Sequence, residues 1–404
     1  MRTVDRAGSV RVPVPISLLT VYAVANLVVG IGLVFTQPSR ADDVWIVYDW
    51  CRTWLLKGQQ LYADPATNTD YPPNAIVMFV PLALVPRQWV VPAWAAVTLL
   101  MTPMFAYLVV RSMAPRIRLS AALVPMLLFL CWGGVRTFLE FSRLSLTLGF
   151  LAVLVADSRP AASGVLLGLA LAKPQIAGPL VLWALVTKRV RVVAVATVVV
   201  AAGFAVYCLR ADANPITVLN GYGRILQSLY SGTEDFIGRT SLRIWWLELA
   251  GDSKLGDPLW GFGAVLLLLV PFSMAMRHAD GSDGRSAAAL SLFCLWSLLT
   301  LYHIGNNLIL MAPAFVFLLM VDDPASARWR MWVVFAIQAA MMLDVPVHLE
   351  SWVPDRGLAF MLVRDVDRIV VLLTFVVVTV LWRRLITDSP DNPKRRETAP
   401  LPEG

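Results

Sequence analysis

Charged residues are scarce in this sequence. Asp, Glu, Lys and Arg make up 15% of the 404 residues, whereas about 25% is usual for soluble domains. Hydrophobic residues make up 58%, which leaves too little polar surface to cover a soluble globule. The composition therefore excludes a soluble protein and predicts an all-α, polytopic membrane protein.

Cysteine and histidine are also rare, with four and three residues respectively. The cysteines are far apart and form no CxxC pair that would indicate a metal or redox site, so we expect core residues: Cys51, Cys131, Cys208 and Cys294. A bound divalent cation is possible, but no ligand spacing demands one, so the sequence implies neither a metal site nor a cofactor.

The formal net charge is +7, but the basic residues stand mainly in short clusters between apolar runs. This pattern is typical of topology signals and of contacts with lipid headgroups. It indicates membrane lipids as partners and argues against nucleic acid.

Apolar runs of membrane-spanning length recur along residues 1–384, and we expect a single domain of about twelve transmembrane helices. The first, Val14 to Phe35, follows three arginines and has no convincing small-x-small cleavage site, which indicates a retained signal anchor with residue 1 in the cytoplasm. The proline-rich tail, 385–404, is expected to be disordered and cytoplasmic. The other spans are expected near 74–86, 88–110, 119–138, 141–157, a proline-interrupted 160–187, 192–209, 258–276, 287–302, 306–321, 331–345 and 369–383.

The basic clusters test this topology. Most fall in the cytoplasm under this count: Lys188 to Arg191, Arg277 to Arg285, Arg328 to Arg330, and Arg383 with Arg384. Arg111, Arg116 and Arg118 fall outside, so one early span is either re-entrant or misplaced. Three sizeable stretches then lie on the outer side of the cell membrane: 37–73, 210–257 and 345–368.

The first outer stretch holds five aspartates among tryptophans and tyrosines: Asp42, Asp43, Asp49, Asp64 and Asp70. Apolar residues at helical spacing, ended by Gly58, predict a helix that lies in the membrane interface: Val44, Val47, Cys51, Trp54 and Leu55. Asp43 falls in its first turn, where the helix dipole favours a negative charge. It is either an ordinary capping acid or a site residue.

Lys173 is embedded in the apolar sequence GVLLGLALAKPQIAGPLVLWALV, directly before Pro174. An intramembrane lysine costs ~2.5–3.5 kcal/mol on insertion scales and marks a functional site by default. The alternative is a lysine that snorkels from the end of a misplaced span.

The sequence LYHIGNNLILMAPAF places His303, Asn306 and Asn307 at the outer junction of two spans, as turn residues or as part of a site. GRTSLRIWW adds Arg239 and Arg243 in the second outer stretch. Acids, arginines and a histidine on one face suit an anionic, lipid-linked ligand.

Several motifs, in this order, resemble glycosyltransferase family 87: D-x4-Y and LLKG-x2-LY within 43–62, YPP (71–73), PLALVP (81–86), GVLLGLALAKPQ (164–175), KRVR and YHIGNNLILMAPA. That family contains polyprenyl-phosphate-mannose-dependent mannosyltransferases of the GT-C superfamily, such as the α-1,2-mannosyltransferases of mycobacterial phosphatidylinositol mannosides. The similarity spans roughly residues 15 to 320. Where many members show Gly-Gln-x-Asn, this chain reads SRLSLTLG (142–149).

The resemblance implies a GT-C fold with its active site on the outer face. It implies that Asp43 is the catalytic base, with Asp42 and Asp49 as reserves, and that Lys173 and His303 lie near the donor phosphate. From their outer position we expect Arg239 and Arg243 to join them. The residues expected to position the substrates are Tyr48, Tyr62, Tyr71, Gln175, Asn306 and Asn307.

The expected activity is that of a hexosyltransferase, which moves mannose, or alternatively arabinose or another sugar, from a polyprenyl phosphate to a lipid or glycan acceptor. One carboxylate base and a cation near the departing phosphate suffice, with inversion at the sugar carbon. The alternatives are a polytopic transporter or flippase of lipid-linked substrates, and a structural partner without activity. A transporter predicts charges spread through several spans, whereas nearly all carboxylates here lie in loops.

Overall fold

The computed structural model describes isolated positions between residues 21 and 36 and then 42–64, 67, 69–113, 141–231, 241–250, 256–276, 283–301, 305–320 and 365–387. Every regular element in these ranges is helical, which confirms the all-α prediction. The elements are α1 (Asp42–Lys57), α2 (Pro73–Met78), α3 (Val80–Ala83), α4 (Arg87–Met113), α5 (Ser142–Val155), α6 (Pro160–Ala170), α7 (Pro174–Val186), α8 (Val190–Arg210), α9 (Pro215–Ser231), α10 (Arg243–Ala250), α11 (Gly256–Met276), α12 (Asp283–Thr300), the 3-10 helix η1 (Gly305–Met311), α13 (Ala312–Met320) and α14 (Val366–Thr387).

Within the described ranges, three helices are long and apolar enough to cross a bilayer: Arg87–Met113, Val190–Arg210 and Leu259–Met276. Several others are apolar but shorter. The chain therefore has the character of a membrane protein, while the total of twelve spans stays a prediction.

Helix α1 forms where the apolar spacing predicts it. Its buried side chains are Val44, Val47, Tyr48, Cys51 and Trp54. Two acids in the first turn and Lys57 in the last match the helix dipole. Gly58 ends the helix with a φ of +64°, a conformation that residues with a Cβ rarely adopt. The position of α1 in a membrane interface stays a prediction.

The last turn of α8 holds α1 and the loop that follows it. The ring of Trp54 stacks on Tyr207 with centroids 5.6 Å apart, and its Nε1 donates to the Tyr207 carbonyl at 3.1 Å. Arg210 donates two hydrogen bonds to the Leu55 carbonyl, at 3.0 and 2.6 Å. The Leu61 N–H donates to the Tyr207 hydroxyl at 2.8 Å. We call this end of the molecule the loop end.

The opposite end of α8 is rich in basic residues, and we call it the basic end. Arg189, just before α8, donates two hydrogen bonds to the Asp157 carboxylate at 3.1 and 3.0 Å. Arg159, Lys188 and Arg191 stand beside these two residues in sequence. Such clusters are typical of cytoplasmic loops.

Residues 74–86 do not form the membrane span expected from their composition. They contain α2 and α3, of six and four residues, which are too short to cross a bilayer. The chain then returns to α1, where the Tyr48 hydroxyl donates to the Val85 carbonyl at 3.3 Å and Arg87 pairs with Asp49 at 3.7 Å. This segment therefore starts and ends at the loop end.

Helix α4 consequently runs from the loop end toward the basic end, parallel to α5. Near its start, Trp94 packs against Phe141, which precedes α5, with ring centroids 4.2 Å apart. Near its end, Ser112 donates to the Phe150 carbonyl at 3.4 Å. Arg111 therefore lies toward the basic end, because 74–86 does not form a span. Arg116 and Arg118 lie outside the described residues.

Residues 160–187, expected to be one proline-interrupted span, form a helical hairpin. α6 starts next to Asp157 and α7 ends next to Arg189, and these two residues pair, so both open ends of the hairpin lie at the basic end. With 11 and 13 residues, α6 and α7 are about 16 and 20 Å long, less than the ~30 Å of a bilayer core. The tip, 171–173, points toward the loop end.

Glycines let α6 pack closely against α8. A Cβ at Gly164 would lie 2.5 Å from the Val195 Cβ, and one at Gly168 would lie 2.6 Å from the Val199 Cβ. Small residues four positions apart are a common means of close helix packing in membranes. Gly164 faces Val195 and Gly168 faces Val199, so residue numbers increase in the same direction along both helices and α6 and α8 are parallel.

Candidate functional site

Lys173 occupies the tip of the hairpin because Pro174 follows it. A residue before proline is disfavoured in the helical conformation, and Lys173 is extended, with φ −120° and ψ 88°. Pro174 takes the first position of α7, where a backbone N–H is not needed. The hairpin thus carries an ammonium group into the protein, and Lys173 is only 7% exposed.

Two buried polar side chains receive this ammonium group. Lys173 Nζ donates to Ser142 Oγ at 3.1 Å, and Ser142 Oγ donates to Asn307 Oδ1 at 2.9 Å. Ser142 is 1% exposed and Asn307 3%. A buried charge needs such partners, because unpaired it would lose several kcal/mol of solvation. We call Lys173, Ser142 and Asn307 the polar cluster.

The polar cluster lies at the N-terminal ends of two helices. α5 begins at Ser142 and α7 begins directly after Lys173, and neither has a side-chain cap. The positive ends of both helix dipoles therefore meet here. Arg143, the next residue of α5, is also buried and donates to the Thr102 hydroxyl of α4. The combination suits a bound anion such as a phosphate.

The loop after α1 closes over the polar cluster. Lys173 Nζ lies 5.2 Å from the centroid of the Tyr71 ring. The Tyr62 hydroxyl donates to the Tyr71 carbonyl at 2.7 Å, and the Tyr222 hydroxyl of α9 donates to the Asp70 carbonyl at 3.4 Å. These bonds fix the backbone on the C-terminal side of Asp70, whose side chain is half-buried.

This environment raises the pKa of the Asp70 carboxyl to about 6. Burial is the main cause, and the negative charge of Asp43 adds to it, whereas the positive charge of Lys173 and the backbone N–H of Asp70 itself act in the opposite direction. Asp43 and Lys173 are therefore close enough for their charges to act on the Asp70 carboxyl.

The three aspartates expected as candidate bases lie along α1. Asp43 and Asp42 are exposed in its first turn. Asp49 is also exposed and forms a surface ion pair with Arg87, the kind of pair that adds at most about 1 kcal/mol. Of the three, Asp43 is the one whose charge raises the pKa of Asp70.

Two of the expected positioning residues support the loop. Tyr48 is buried, and its hydroxyl donates a hydrogen bond to the Val85 carbonyl, just after α3. Tyr62 is buried between Tyr207 and Tyr222, with ring centroids at 5.3 and 5.6 Å. Their contacts hold the loop in shape.

Gln175 and Arg243 lie near the end of α12. The Gln175 carbonyl, in the first turn of α7, accepts a hydrogen bond from Ser297 Oγ at 2.8 Å. Arg243 begins α10, next to Leu242, whose N–H donates to the Leu299 carbonyl at 2.9 Å. Both residues therefore stand at the loop end of α12. His303, Arg239 and the side chain of Asn306 lie outside the described residues.

Sequence reasoning did not single out Asp70 or Ser142 as site residues. Asp70 directly precedes the YPP motif, which is the local signal that could have separated it from the other four loop aspartates. Ser142 lies in SRLSLTLG, the stretch where the chain departs from the family pattern. Because Ser142 is a hydrogen-bond partner of the buried Lys173, this stretch could have been recognised as part of the site.

Among the described residues, no group of three or more His, Cys, Asp or Glu side chains is placed to hold a metal ion.

The family model of glycosyltransferase family 87 matches residues 68–302, more than half of the chain. No curated protein and no solved structure matches it significantly. The matched range contains Asp70, Ser142 and Lys173, and Asp43 precedes it.

Proposed function

Because the chain belongs to glycosyltransferase family 87 and is therefore a membrane glycosyltransferase, we propose that it transfers mannose from a polyprenyl phosphate to a hydroxyl group of a lipid or glycan. The observation that carries the proposal is the polar cluster, in which a buried lysine meets a hydroxyl and an amide at the start of two helices. The choice of mannose and of a polyprenyl donor rests on the resemblance of the sequence motifs.

The polar cluster is the proposed site of the donor phosphate. Lys173 supplies a full positive charge, and the N-terminal ends of α5 and α7 add partial ones. Burial makes these interactions stronger than they would be in water. Because negative charge grows on the phosphate as the sugar leaves, fixed donors at this position lower the barrier. His303, Arg239 and Arg243 are proposed to complete the contact with the phosphate.

Asp43 is the proposed base. Its carboxylate accepts the proton of the acceptor hydroxyl while the acceptor oxygen bonds to the anomeric carbon of the sugar. The bond between that carbon and the phosphate oxygen breaks, and its electron pair stays on the departing polyprenyl phosphate. A single displacement of this kind inverts the anomeric carbon and uses no cofactor, by analogy with inverting glycoside hydrolysis.

The loop end is proposed to face the outer side of the cell membrane. Arg159, Lys188, Arg189 and Arg191 lie toward the basic end of α8, where the positive-inside rule favours the cytoplasm. The exposed Asp43 would then meet acceptors outside the cytoplasm, while the buried Lys173 lies deeper, toward the membrane. A lipid-borne phosphate and a glycan hydroxyl can approach such a site from opposite sides.

Transfer of labelled sugar tests the proposal. The purified protein is incubated with polyprenyl-phosphate-mannose labelled in the sugar and with a lipid extract as acceptor, beside the same reaction with the arabinose donor. We expect label from mannose in a product that no longer carries the phosphate, and much less with Lys173→Met at low donor concentration. Movement of intact donor across a vesicle membrane without any transfer would overturn the proposal.

A further inference from the structure

The Lys173 ammonium group is held by neutral partners. It donates to Ser142 Oγ at 3.1 Å and lies 5.2 Å from the centroid of the Tyr71 ring. Within the described residues, no carboxylate forms an ion pair with it. An ammonium group has three N–H donors, so two of them remain for the oxygens of a bound anion.

The hydrogen bond between Lys173 and Ser142 has a defined direction. An ammonium group cannot accept a hydrogen bond, so the Ser142 oxygen must be the acceptor, and the single proton of the Ser142 hydroxyl must point elsewhere. It points to Asn307 Oδ1, at 2.9 Å. Asn307 therefore orients the Ser142 hydroxyl so that the lone pairs of its oxygen face Lys173.

The three side chains come from separate segments of the chain. Ser142 is the first residue of α5, Lys173 is at the hairpin tip, and Asn307 lies in η1. All three are buried, so little room is left for other rotamers. A mobile lysine side chain loses entropy when it binds a ligand, and a lysine that is already fixed in its bound position avoids this cost. The hydrogen bonds thus prepare Lys173 for a ligand.

We propose that Ser142 and Asn307 are positioning residues of the donor site. Ser142 aims the ammonium group of Lys173 at the donor phosphate, and Asn307 acts through Ser142 by fixing the direction of its hydroxyl. Neither side chain touches the phosphate. The inference rests on the proposed function, because it needs Lys173 as the phosphate contact.

Ser145 offers a matched comparison in the same helix. It follows Ser142 by three residues in α5, and both serines are 1% exposed. The Ser145 hydroxyl has no hydrogen-bond partner in the described part of the chain. Replacement of either serine by alanine therefore removes the same atom from an equally buried position, but only Ser142→Ala breaks a contact with Lys173.

Binding of a short-chain prenyl-phosphate-mannose to the full-length protein, measured without acceptor, tests the inference. The single variants are Ser142→Ala, Ser145→Ala, Lys173→Met and Asn307→Leu, which keeps the size of the side chain but has no acceptor. A double variant combines Ser142→Ala with Lys173→Met. Thermal melting in detergent checks that each variant is folded, and Asn307→Leu tests the role of Ser142 independently where Ser142→Ala does not fold.

We expect Ser142→Ala and Asn307→Leu each to weaken donor binding about tenfold, as for the loss of a hydrogen bond to a charged group. Ser145→Ala should stay within about twofold of the wild type, because its hydroxyl has no partner to lose. Since the positioning residues act through Lys173, Ser142→Ala should change donor binding by less than about twofold once Lys173 is replaced by methionine.

Donor binding within about threefold of the wild type in the folded Ser142→Ala and Asn307→Leu variants would overturn the inference. An equal loss in Ser145→Ala and Ser142→Ala would overturn it as well, because the effect would then come from packing. So would a further loss from Ser142→Ala in the Lys173→Met background, since Ser142 would then act without Lys173. If Lys173→Met binds the donor as well as the wild type, the proposed donor site itself is wrong.

Discussion

Gly221 of α9 lies so close to the Tyr62 carbonyl that a Cβ does not fit between them. The next residue, Tyr222, donates to the Asp70 carbonyl. This close approach therefore sets the distance between α9 and the loop that covers the polar cluster. Position 221 requires glycine because a Cβ would clash with the Tyr62 carbonyl. A backbone carbonyl cannot move away as easily as the end of a flexible side chain.

Gly221→Ala should push α9 away from the loop. We expect a loss of stability of about 1–3 kcal/mol, typical of overpacking, and a clear loss of transfer activity because Asp70 and Tyr71 shift. Gly223→Ala on the same helix is the matched control, since nothing lies within 4 Å of a Cβ there, and alanine favours a helix over glycine by about 1 kcal/mol. Equal melting temperatures for the two variants in detergent would contradict the packing argument.

The loop end and the basic end are predicted to lie on opposite sides of the membrane. Single cysteines at Thr67, in the loop after α1, and at Ser158, beside the Asp157 partner of Arg189, should lie on opposite sides of the membrane. In intact cells, a membrane-impermeant maleimide should label Thr67→Cys and should label Ser158→Cys only after permeabilisation. The native Cys51, Cys208 and Cys294 are buried and serve as the unlabelled background. Cys131, which lies outside the described residues, is replaced by serine in both variants. The reverse pattern would place the site in the cytoplasm.

Local rules of helix formation were enough to predict α1, and the apolar sequence around Lys173 was enough to predict that it is buried. The apolar spacing of α1 and the glycine that ends it are local features, and a single charge in a long apolar run stands out without any tertiary information. The family match then confirmed the resemblance drawn from short motifs.

The two reversals of chain direction were not predictable in the same way. An apolar run such as 160–187 has the composition of one span, and only the pairing of Asp157 with Arg189 shows that both of its ends lie together. The same holds for Asp70, whose neighbours Lys173 and Tyr222 come from remote parts of the chain. Its special environment is created by the fold.

Asp70 should cost the folded protein stability at neutral pH. Its pKa rises from 3.8 to about 6 on folding, so the folded state binds more protons than the unfolded state between these values, and the free energy of unfolding falls as the pH rises across this window. Asp70→Asn removes the dependence. We expect its melting temperature to exceed that of the wild type at about pH 7.5, and the difference to shrink at about pH 4.5.

That result would separate a functional carboxylate from a structural one. A structural carboxylate would make Asp70→Asn less stable at both pH values, since its loss removes a stabilising contact. A stability gain would instead show that the fold does not need the ionised carboxylate. Asp64→Asn, an exposed change in the same loop, should show no such pH dependence.

Asp43→Asn tests whether Asp43 is the general base of the proposed mechanism. The change keeps the size of the side chain and most of its hydrogen bonding but removes the ability to accept a proton. If Asp43 is the base, turnover should fall by about 10²–10⁴-fold, the range that general-base catalysis supplies. Donor affinity, measured by binding without acceptor, should change far less because the phosphate is proposed to bind at Lys173.

Asp42→Asn and Asp49→Asn are the controls, since both residues are exposed on the same helix as Asp43. Each should reduce turnover a few-fold at most, as expected for a surface acid or for one partner of the exposed pair with Arg87. If Asp49→Asn abolishes turnover while Asp43→Asn is nearly fully active, the base has been assigned to the wrong residue but base catalysis from α1 stands. If all three variants stay active, base catalysis from α1 is wrong, and Asp70 is the next carboxylate within reach of the polar cluster.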